Sequence, residues 1–289
     1  MAIPKDIQTR IQELEVLRTV TRAYAEIASV RMIKIREFVL KNREFLGSID
    51  GIFRTVISSY QKEVKELIKN SKNGENITFL AHNGKTVSVF LSANTGLYGD
   101  IVKKTFDSFI KDVGSGDAEV AIVGKLGSLL YEQTKPGSPY SYFDFPDYKV
   151  DNEALGEIIR HIVQYEEIRV YYGKFQSVVR QDPTIYKINA VATSDLESKS
   201  EEVIQEKYIF EPTLEEILQF FETEIFASLF DQTMRESQLA KFASRIGAMS
   251  RATENINETL NLAKIDKLKV MHERQNKKQL NSLAGLMFK

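Results

Sequence analysis

The chain has 289 residues, 43% of them apolar, so it is long enough to bury a sizeable core in one large domain or two modest ones. Lys and Arg number 39 against 40 for Asp and Glu, and this balance argues against a general nucleic-acid-binding protein. Cysteine is absent, which excludes disulfides, cysteine-based metal sites and iron–sulfur clusters.

The N-terminal part, residues 1–70, predicts two successive helices. No proline occurs between Pro4 and Pro136, and apolar residues recur every three or four positions, as on one face of an amphipathic helix. The stripe consists of Ile7, Ile11, Leu14, Leu17, Val20, Tyr24 and Ile27 and continues to about Leu46. Gly47 and Gly51 permit a bend or break there, and helical sequence resumes from Phe53 to Ile68.

The C-terminal part, residues 212–289, predicts one long helix. Thr213 followed by Glu216 forms a capping box in front of an apolar stripe that begins at Ile217. The stripe runs through Met249 and Leu260 towards Leu268 and Met271. Some seventy helical residues would span roughly 100 Å, too long for a compact domain of this size. We therefore expect the two terminal parts to bury their stripes on each other as a coiled coil.

The middle of the chain, residues 76–211, predicts a separate α/β domain. Strand and helix patterns alternate, which favours a small sheet with parallel strands. The predicted strands cover 86–92, 118–125, 167–175, 177–181 and 206–211, and the predicted helices 99–113 and 153–165.

Candidates for chemistry are weak throughout the chain. Residues 90–100, FLSANTGLYGD, have the strand–turn–helix layout of phosphate-binding loops but lack the G-x-G-x-x-G spacing, so we favour a structural turn at Gly96 and Gly99. The three histidines, His82, His161 and His272, lie far apart and have no further ligand at metal spacing. We therefore expect no catalytic residue, no metal and no cofactor.

Small residues concentrate at one point of the C-terminal helix. Ala243 and Gly247, like Ser244, Ala248 and Ala252, follow one another at four-residue spacing and so share one side of the helix. This pattern predicts a tight helix–helix contact, with Arg245 and Arg251 projecting outward. An ordinary alanine-containing face is the alternative.

The end of the C-terminal helix is basic and then apolar. Residues 264–278 carry six Lys and Arg against Asp266 and Glu273, and LNSLAGLMF follows at 280–288. Such a segment could bind a membrane surface or enter a protein socket lined with acids and closed by an apolar collar. No window of the chain approaches the roughly 20 apolar residues of a transmembrane helix, so we expect a membrane to be reached only through partners.

Several blocks, in order along the chain, resemble the gamma subunit of F-type ATP synthases. Residues 243–256, ASRIGAMSRATENI, are similar to its A-S-R-M-x-A-M-x-x-A-T-x-N-A segment, and Arg274 and Gln275 fall at its late Arg-Gln. Residues 208–218, YIFEPTLEEIL, match its F-E-P-S-x-E-E-x-L. The opening helix (7–35), TGLYGDI (95–101) and IVGKLGSLLY (122–131) correspond to further blocks.

The resemblance implies an antiparallel coiled coil of the terminal helices, a Rossmann-like central domain without a nucleotide site, and a rotor role. The partners implied are the alpha and beta subunits, the epsilon subunit and the c ring, with no nucleic acid. The absence of a transit segment places such a subunit on the cytoplasmic side of a bacterial inner membrane. Rotor–stator contacts are implied for Arg22, Tyr24, Arg245, Arg251, Arg274, Gln275, Lys277 and Lys278.

Two other functions remain open at this point. Departures from the family pattern, such as Lys241 where the family has glutamate and Tyr24 where it has methionine, favour a coiled-coil adaptor in a specialised ATPase-derived assembly. A free-standing nucleotide-binding enzyme at 90–100 would have to bind phosphate by itself.

Overall fold

A computed structural model describes residues 5–59, 83–113, 118–149, 151–189 and 213–287. In chain order these residues form α1 (Lys5–Ser59), β1 (Thr86–Leu91), α2 (Ile101–Val113), β2 (Glu119–Val123), α3 (Lys125–Thr134), β3 (Ser141–Phe143), α4 (Asn152–Ile162), β4 (Glu167–Phe175), β5 (Gln181–Asn189) and α5 (Leu214–Met287).

The first helix is longer than the sequence predicted. The predicted break at Gly47 and Gly51 is wrong, because α1 continues through both glycines to Ser59. Glycine in a helix costs only about 1 kcal/mol relative to alanine, so two glycines permit a break without imposing one. The predicted helical residues beyond 59 lie outside the described part of the chain.

At the other long helix, Thr213 Oγ1 accepts a hydrogen bond from the Glu216 backbone N–H at 3.3 Å, as the capping motif predicts.

The central sheet has the strand order β3-β2-β1-β4-β5. The first four strands are parallel, and β5 pairs antiparallel with β4. The parallel α/β arrangement is confirmed, but the predicted strand at 177–181 is wrong. The N–H groups of Gln176 and Ser177 both bond to the Arg180 carbonyl, so these residues form the turn that sends the chain back as β5. The predicted strand at 206–211 lies outside the described residues.

Both faces of the sheet are covered, which explains why β1 and β2 are nearly continuous runs of buried residues. On one face Val87, Val89 and Val170 pack with α4 and with Phe230 of α5. The opposite face carries aromatic side chains, and Phe90 stacks on Phe109 of α2 with ring centroids 5.2 Å apart. The N-terminus of α4 is capped by Asp151, whose carboxylate accepts from the N–H groups of residues 153 and 154.

The chain divides into two compact units. We call Met1–Val30 with Arg245–Lys289 the terminal unit and Arg31–Ser244 the central unit. This division cuts both long helices, whereas the limits predicted from sequence, 1–70, 76–211 and 212–289, followed prolines and turns. Those limits stay a prediction.

In each unit α1 and α5 pair in opposite directions. In the terminal unit the guanidinium carbon of Arg245 lies 6.0 Å from the centre of the Tyr24 ring, and Thr253 Oγ1 donates to Thr21 Oγ1 at 3.2 Å. Residues nearer the N-terminus of α1 therefore contact residues nearer the C-terminus of α5, so the two helices are antiparallel. In the central unit, Asn42 Nδ2 donates to the Ser228 carbonyl at 3.2 Å, and Arg235 lies over the Phe38 ring. The antiparallel coiled coil of the terminal helices is confirmed.

The shielded stripes follow a seven-residue repeat and differ in part from the predicted ones. Apart from flanking residues such as Arg245, Ala252 and Asn257, the shielded positions of α5 in the terminal unit alternate steps of three and four residues, the spacing of a coiled-coil seam. They are Ile246, Met249, Thr253, Ile256, Leu260, Ala263, Lys267, Val270 and Arg274. The predicted continuation to Leu268 and Met271 is wrong, since these side chains are 55% and 39% exposed.

The same correction applies to α1. The shielded positions in the terminal unit that keep this spacing after Ile11 are Leu14, Arg18, Thr21, Ala25 and Ala28, with Glu15 and Ser29 half-buried beside them. Four residues of the predicted stripe lie on another side of the helix and are exposed, namely Leu17, Val20, Tyr24 and Ile27. The prediction followed the more hydrophobic residues, whereas the shielded positions include small and amphipathic side chains such as Arg18, Thr21 and Ala25.

Candidate functional site

The backbone N–H groups of the turn after β1 are hydrogen-bonded to a carboxylate side chain of the same chain. The carboxylate of Asp147 accepts hydrogen bonds from the backbone N–H groups of Asn94 and Thr95 at 2.9 and 2.8 Å and from Thr95 Oγ1 at 2.8 Å. Asp147 is 6% exposed. These N–H groups lie at the carboxyl end of the parallel strands, where doubly wound folds usually bind ligands. Because Asp147 accepts from them, these two N–H groups are already bonded within the chain, and the structural role indicated by the incomplete motif stays a prediction.

A metal-binding site is also not found in the described part of the chain. No group of three or more His, Asp or Glu side chains among those residues could hold a metal ion. His161 packs between aromatic rings, 5.2 Å from the Phe143 centroid and 5.8 Å from that of Tyr165. His272 is exposed, and His82 lies outside the described residues.

The glycine turn at 96–99 contacts α5 within the central unit. Gly99 has φ +64°, and a Cβ atom there would lie 2.5 Å from Ser244 Oγ and 3.1 Å from the Ser244 carbonyl oxygen. The neighbouring Tyr98 is 3% exposed and meets the Phe242 ring edge-on at 6.0 Å. Gly96, by contrast, has open space in its Cβ direction. The small side chain at 244 therefore accommodates a turn of the central unit.

The other small residues of α5 are less tightly packed. Ala243 is fully buried, whereas Gly247, Ala248 and Ala252 are half-buried. A Cβ atom at Gly247 would approach one described atom outside the local backbone, Arg251 Nη1 at 3.6 Å, which is an ordinary contact. The close helix contact predicted at Gly247 is thus not seen among the described residues, and a packing role for this group stays a prediction.

The two arginines of this segment differ in environment. Arg251 is exposed, but Arg245 is only 6% exposed, with its guanidinium near the Tyr24 ring. The prediction that both project outward is therefore wrong for Arg245. Arginine can bury its stem and place its planar head over an aromatic face, an option that a sequence pattern does not reveal. On α1, Arg22 is exposed.

The basic segment of α5 presents its charge to solvent. Lys264, Gln275, Lys277 and Lys278 are exposed, whereas Arg274 occupies a half-buried position of the seven-residue repeat. Residues 264–278 carry six Lys and Arg against two acids, a net charge of +4. Lys269 and Asp266 approach at 3.8 Å, but both are about two-thirds exposed, so this pair neutralises little of the field.

Among the described residues, apolar side chains of the terminal unit are exposed on both α1 and α5. On α1, Val16, Leu17 and Ile27 are 46% to 62% exposed, and they flank Val20 and Tyr24. On this part of α5 the exposed apolar side chains include Leu262, Ile265, Leu268, Met271, Leu280 and Leu283. Rows of this kind mark contact surfaces for other proteins. The sequence did not reveal that this α1 face is exposed. Two overlapping apolar periodicities, one through Leu14 and one through Leu17, were the signal that α1 has a second apolar face.

The profile of the protein family described as ATP synthase matches residues 4–277, nearly the whole chain. The chain belongs to the ATP synthase gamma-chain family. The gamma chain of Pelagibacter ubique is 26% identical over 286 residues, covering 95% of this chain and 93% of that protein. The gamma chain of Clostridium perfringens is 23% identical over 261 residues, covering 89% and 87%.

The solved structures that this chain resembles are parts of mitochondrial ATP synthases. The matching chain in the rotor of the Euglena gracilis mitochondrial ATP synthase has a TM-score of 0.59 at 15% identity and covers 93% of this chain and 98% of that chain. A chain of the Tetrahymena thermophila central stalk and c ring has a TM-score of 0.55 at 18% identity, covering 81% and 99%. These likenesses concern the fold.

No helix in the described ranges is long and apolar enough to span a membrane.

Proposed function

We propose that this gamma chain is the central-stalk rotor subunit of an F-type ATP synthase. It would couple ion translocation through the membrane ring to ATP synthesis or hydrolysis at the ring of alpha and beta subunits. The proposal rests on the family match over residues 4–277, together with the antiparallel pairing of α1 and α5 in this chain. We also propose that the chain has no catalytic residues of its own.

The surface of the terminal unit suits a shaft that turns inside other proteins. The seven-residue repeat buries one side of each helix on the other, and apolar and basic groups remain outside for partners. Apolar side chains can slide along an apolar wall, whereas charged ones act on acidic loops at several ångströms. We assign the rotor–stator contacts to Arg22, Tyr24, Arg251, Arg274, Gln275, Lys277 and Lys278. Arg245, which the sequence predicted for the same role, is buried near the Tyr24 ring and would support Tyr24 instead of meeting a partner itself.

The partners of the proposal are the alpha and beta subunits, the epsilon subunit and the c ring. The chain would be a peripheral component of a membrane-bound complex, reaching the membrane through those partners. Since the relatives described above are bacterial gamma chains, we place the complex at a bacterial plasma membrane, on its cytoplasmic side. The adaptor alternative is not favoured, because family likeness extends over the long helices as well as the central unit.

Co-purification tests the proposal. The full chain is expressed with the alpha and beta subunits of its own organism, and ATP hydrolysis is compared with that of a chain ending at Lys264. We expect a stable assembly whose turnover falls several-fold on truncation, because the removed residues carry the basic segment and its apolar side chains. A full-length Lys277→Gln/Lys278→Gln variant separates lost charge from lost length. Failure of the intact chain to assemble would overturn the rotor role in favour of the adaptor.

A further inference from the structure

A small cavity lies between the sheet and α5 in the central unit. Its walls on the sheet side come from Leu91, Ser92 and Val123, at the carboxyl ends of β1 and β2, and from Phe145. On the α5 side they come from Met234, Ser237, Gln238 and Lys241, which share one face of the helix. The cavity encloses about 10 Å³, close to the smallest volume that holds one water molecule.

Three buried polar atoms of the lining have no hydrogen-bond partner among the described residues. They are Ser92 Oγ, Ser237 Oγ and Gln238 Oε1. Their residues are 2% to 3% exposed, so bulk water does not reach them. A buried polar atom without a partner costs about 1 to 3 kcal/mol, and three at one point call for a common explanation.

The neighbouring groups have defined orientations. Gln238 Nε2 donates to the Pro146 carbonyl at 3.3 Å, which directs its Oε1 away from that carbonyl. The ammonium of Lys241 is buried and donates to the Ser92 carbonyl at 2.5 Å. The residues that line the cavity thus carry two unpartnered hydroxyl oxygens, an unpartnered amide oxygen and a buried ammonium that donates to a backbone carbonyl.

We infer that this cavity binds one internal water molecule. A water molecule can donate to Gln238 Oε1 and exchange hydrogen bonds with both serine hydroxyls, which gives it the three partners typical of buried water. An anion does not suit the amide oxygen, and a cation does not suit the nearby lysine ammonium. The volume leaves no room for a larger ligand.

The water would join β1 to α5 through groups that do not bond directly to each other. With the Lys241–Ser92 and Gln238–Pro146 hydrogen bonds, it sets the rotation of this part of α5 on the sheet more specifically than apolar packing does. This inference concerns the central unit alone and is independent of the rotor role.

A structure of the full chain in its complex, at a resolution that shows ordered water, tests the site directly. We expect a single density peak at about 2.7 to 3.2 Å from Ser92 Oγ, Ser237 Oγ and Gln238 Oε1. An empty cavity, or a direct bond between two of these atoms, would overturn the inference.

A double-mutant cycle gives a second test on the full chain. Ser92→Ala and Ser237→Ala should each lower the thermal midpoint by about 2 to 4 °C, because each leaves the water one partner short. The double variant should lose clearly less than the two shifts added together, since both act through the same water. Ser228→Ala is the matched control, because Ser228 is buried on α5 but does not line the cavity. Its effect should add to that of Ser92→Ala, and additive shifts in the test pair would contradict a shared water.

Discussion

At the scale of single residues, Gly99 shows how one atom can decide a contact between elements. Gly99→Ala combines a positive φ with a Cβ atom 2.5 Å from Ser244 Oγ. We expect it to lower the free energy of unfolding by about 2 to 4 kcal/mol, from backbone strain and overpacking together. Urea unfolding of the full chain measures this loss.

Gly96→Ala is the matched control in the same turn, since its Cβ direction is open, and a change within about 0.5 to 1 kcal/mol is expected. Adding Ser244→Ala to Gly99→Ala removes the nearest atom and should restore part of the loss. Equal effects of the two glycine substitutions would contradict the close approach.

A second prediction at this scale concerns Glu119 and Tyr165 beside the sheet. The Lys85 ammonium, at 2.8 Å, and the Tyr165 hydroxyl, which donates to Glu119 Oε2, hold the pKa of Glu119 below its usual value. Burial and the bond to Glu119 raise the pKa of Tyr165 to about 12. Carbon-detected NMR titration should show the Glu119 pKa rising in Lys85→Met and, by less, in Tyr165→Phe.

The signs of the pH dependence follow from these directions. The stability due to Glu119 is present above its unfolded pKa and is lost as pH falls through the lowered folded pKa. That due to Tyr165 is complete below about pH 10 and is lost as pH rises towards 12, because the unfolded phenol ionises first. Tyr165→Phe should therefore unfold with a smaller alkaline loss of stability. An unchanged alkaline profile would be evidence against this role of Tyr165.

At the scale of elements, the seven-residue repeat of α5 makes a matched comparison possible. Leu260 is 2% exposed and Leu262, two positions on, is 64% exposed. We expect Leu260→Ala to cost about 2 to 4 kcal/mol through the cavity that it leaves, and Leu262→Ala less than about 0.5 kcal/mol. Thermal unfolding of the full chain measures both. Similar losses would contradict the assigned seam.

The elements themselves differ in how far sequence predicted them. β1 and β4 were predicted to within a residue because their apolar runs are bounded by turn residues. β5 was missed because it contains Pro183 and is only partly buried, as an edge strand allows. The stripe on α1 was assigned to the wrong side from Leu17 to Ile27, because two apolar periodicities overlap there and hydrophobicity alone does not say which of them meets the partner helix.

At the scale of the whole molecule, charge on the last part of α5 should affect the complex more than the chain. Lys277→Glu with Lys278→Glu leaves the seam residues unchanged and reverses two exposed charges. We expect ATP turnover of the assembled complex to fall several-fold while the unfolding of the chain stays within about 0.5 kcal/mol of the wild type.

The comparison variant is Lys103→Glu with Lys104→Glu on α2, which reverses the same number of exposed charges in the central unit. It should leave turnover within about two-fold of the wild type. An equal loss in both variants would show a general charge effect rather than a contact of the basic segment.

The sequence by itself determined the long C-terminal helix, the helical character of the N-terminal part, the parallel α/β centre and the family, because periodicity, turn residues and family motifs are local in the chain. Only the tertiary structure decided which apolar stripe forms the seam, that Arg245 is buried near Tyr24, and that Ser244 faces Gly99. It also decided that Asp147 takes the N–H groups of the β1 turn. The physical reason is the same in each case. These contacts join residues far apart in sequence, and whether they form depends on distances that no local sequence pattern contains.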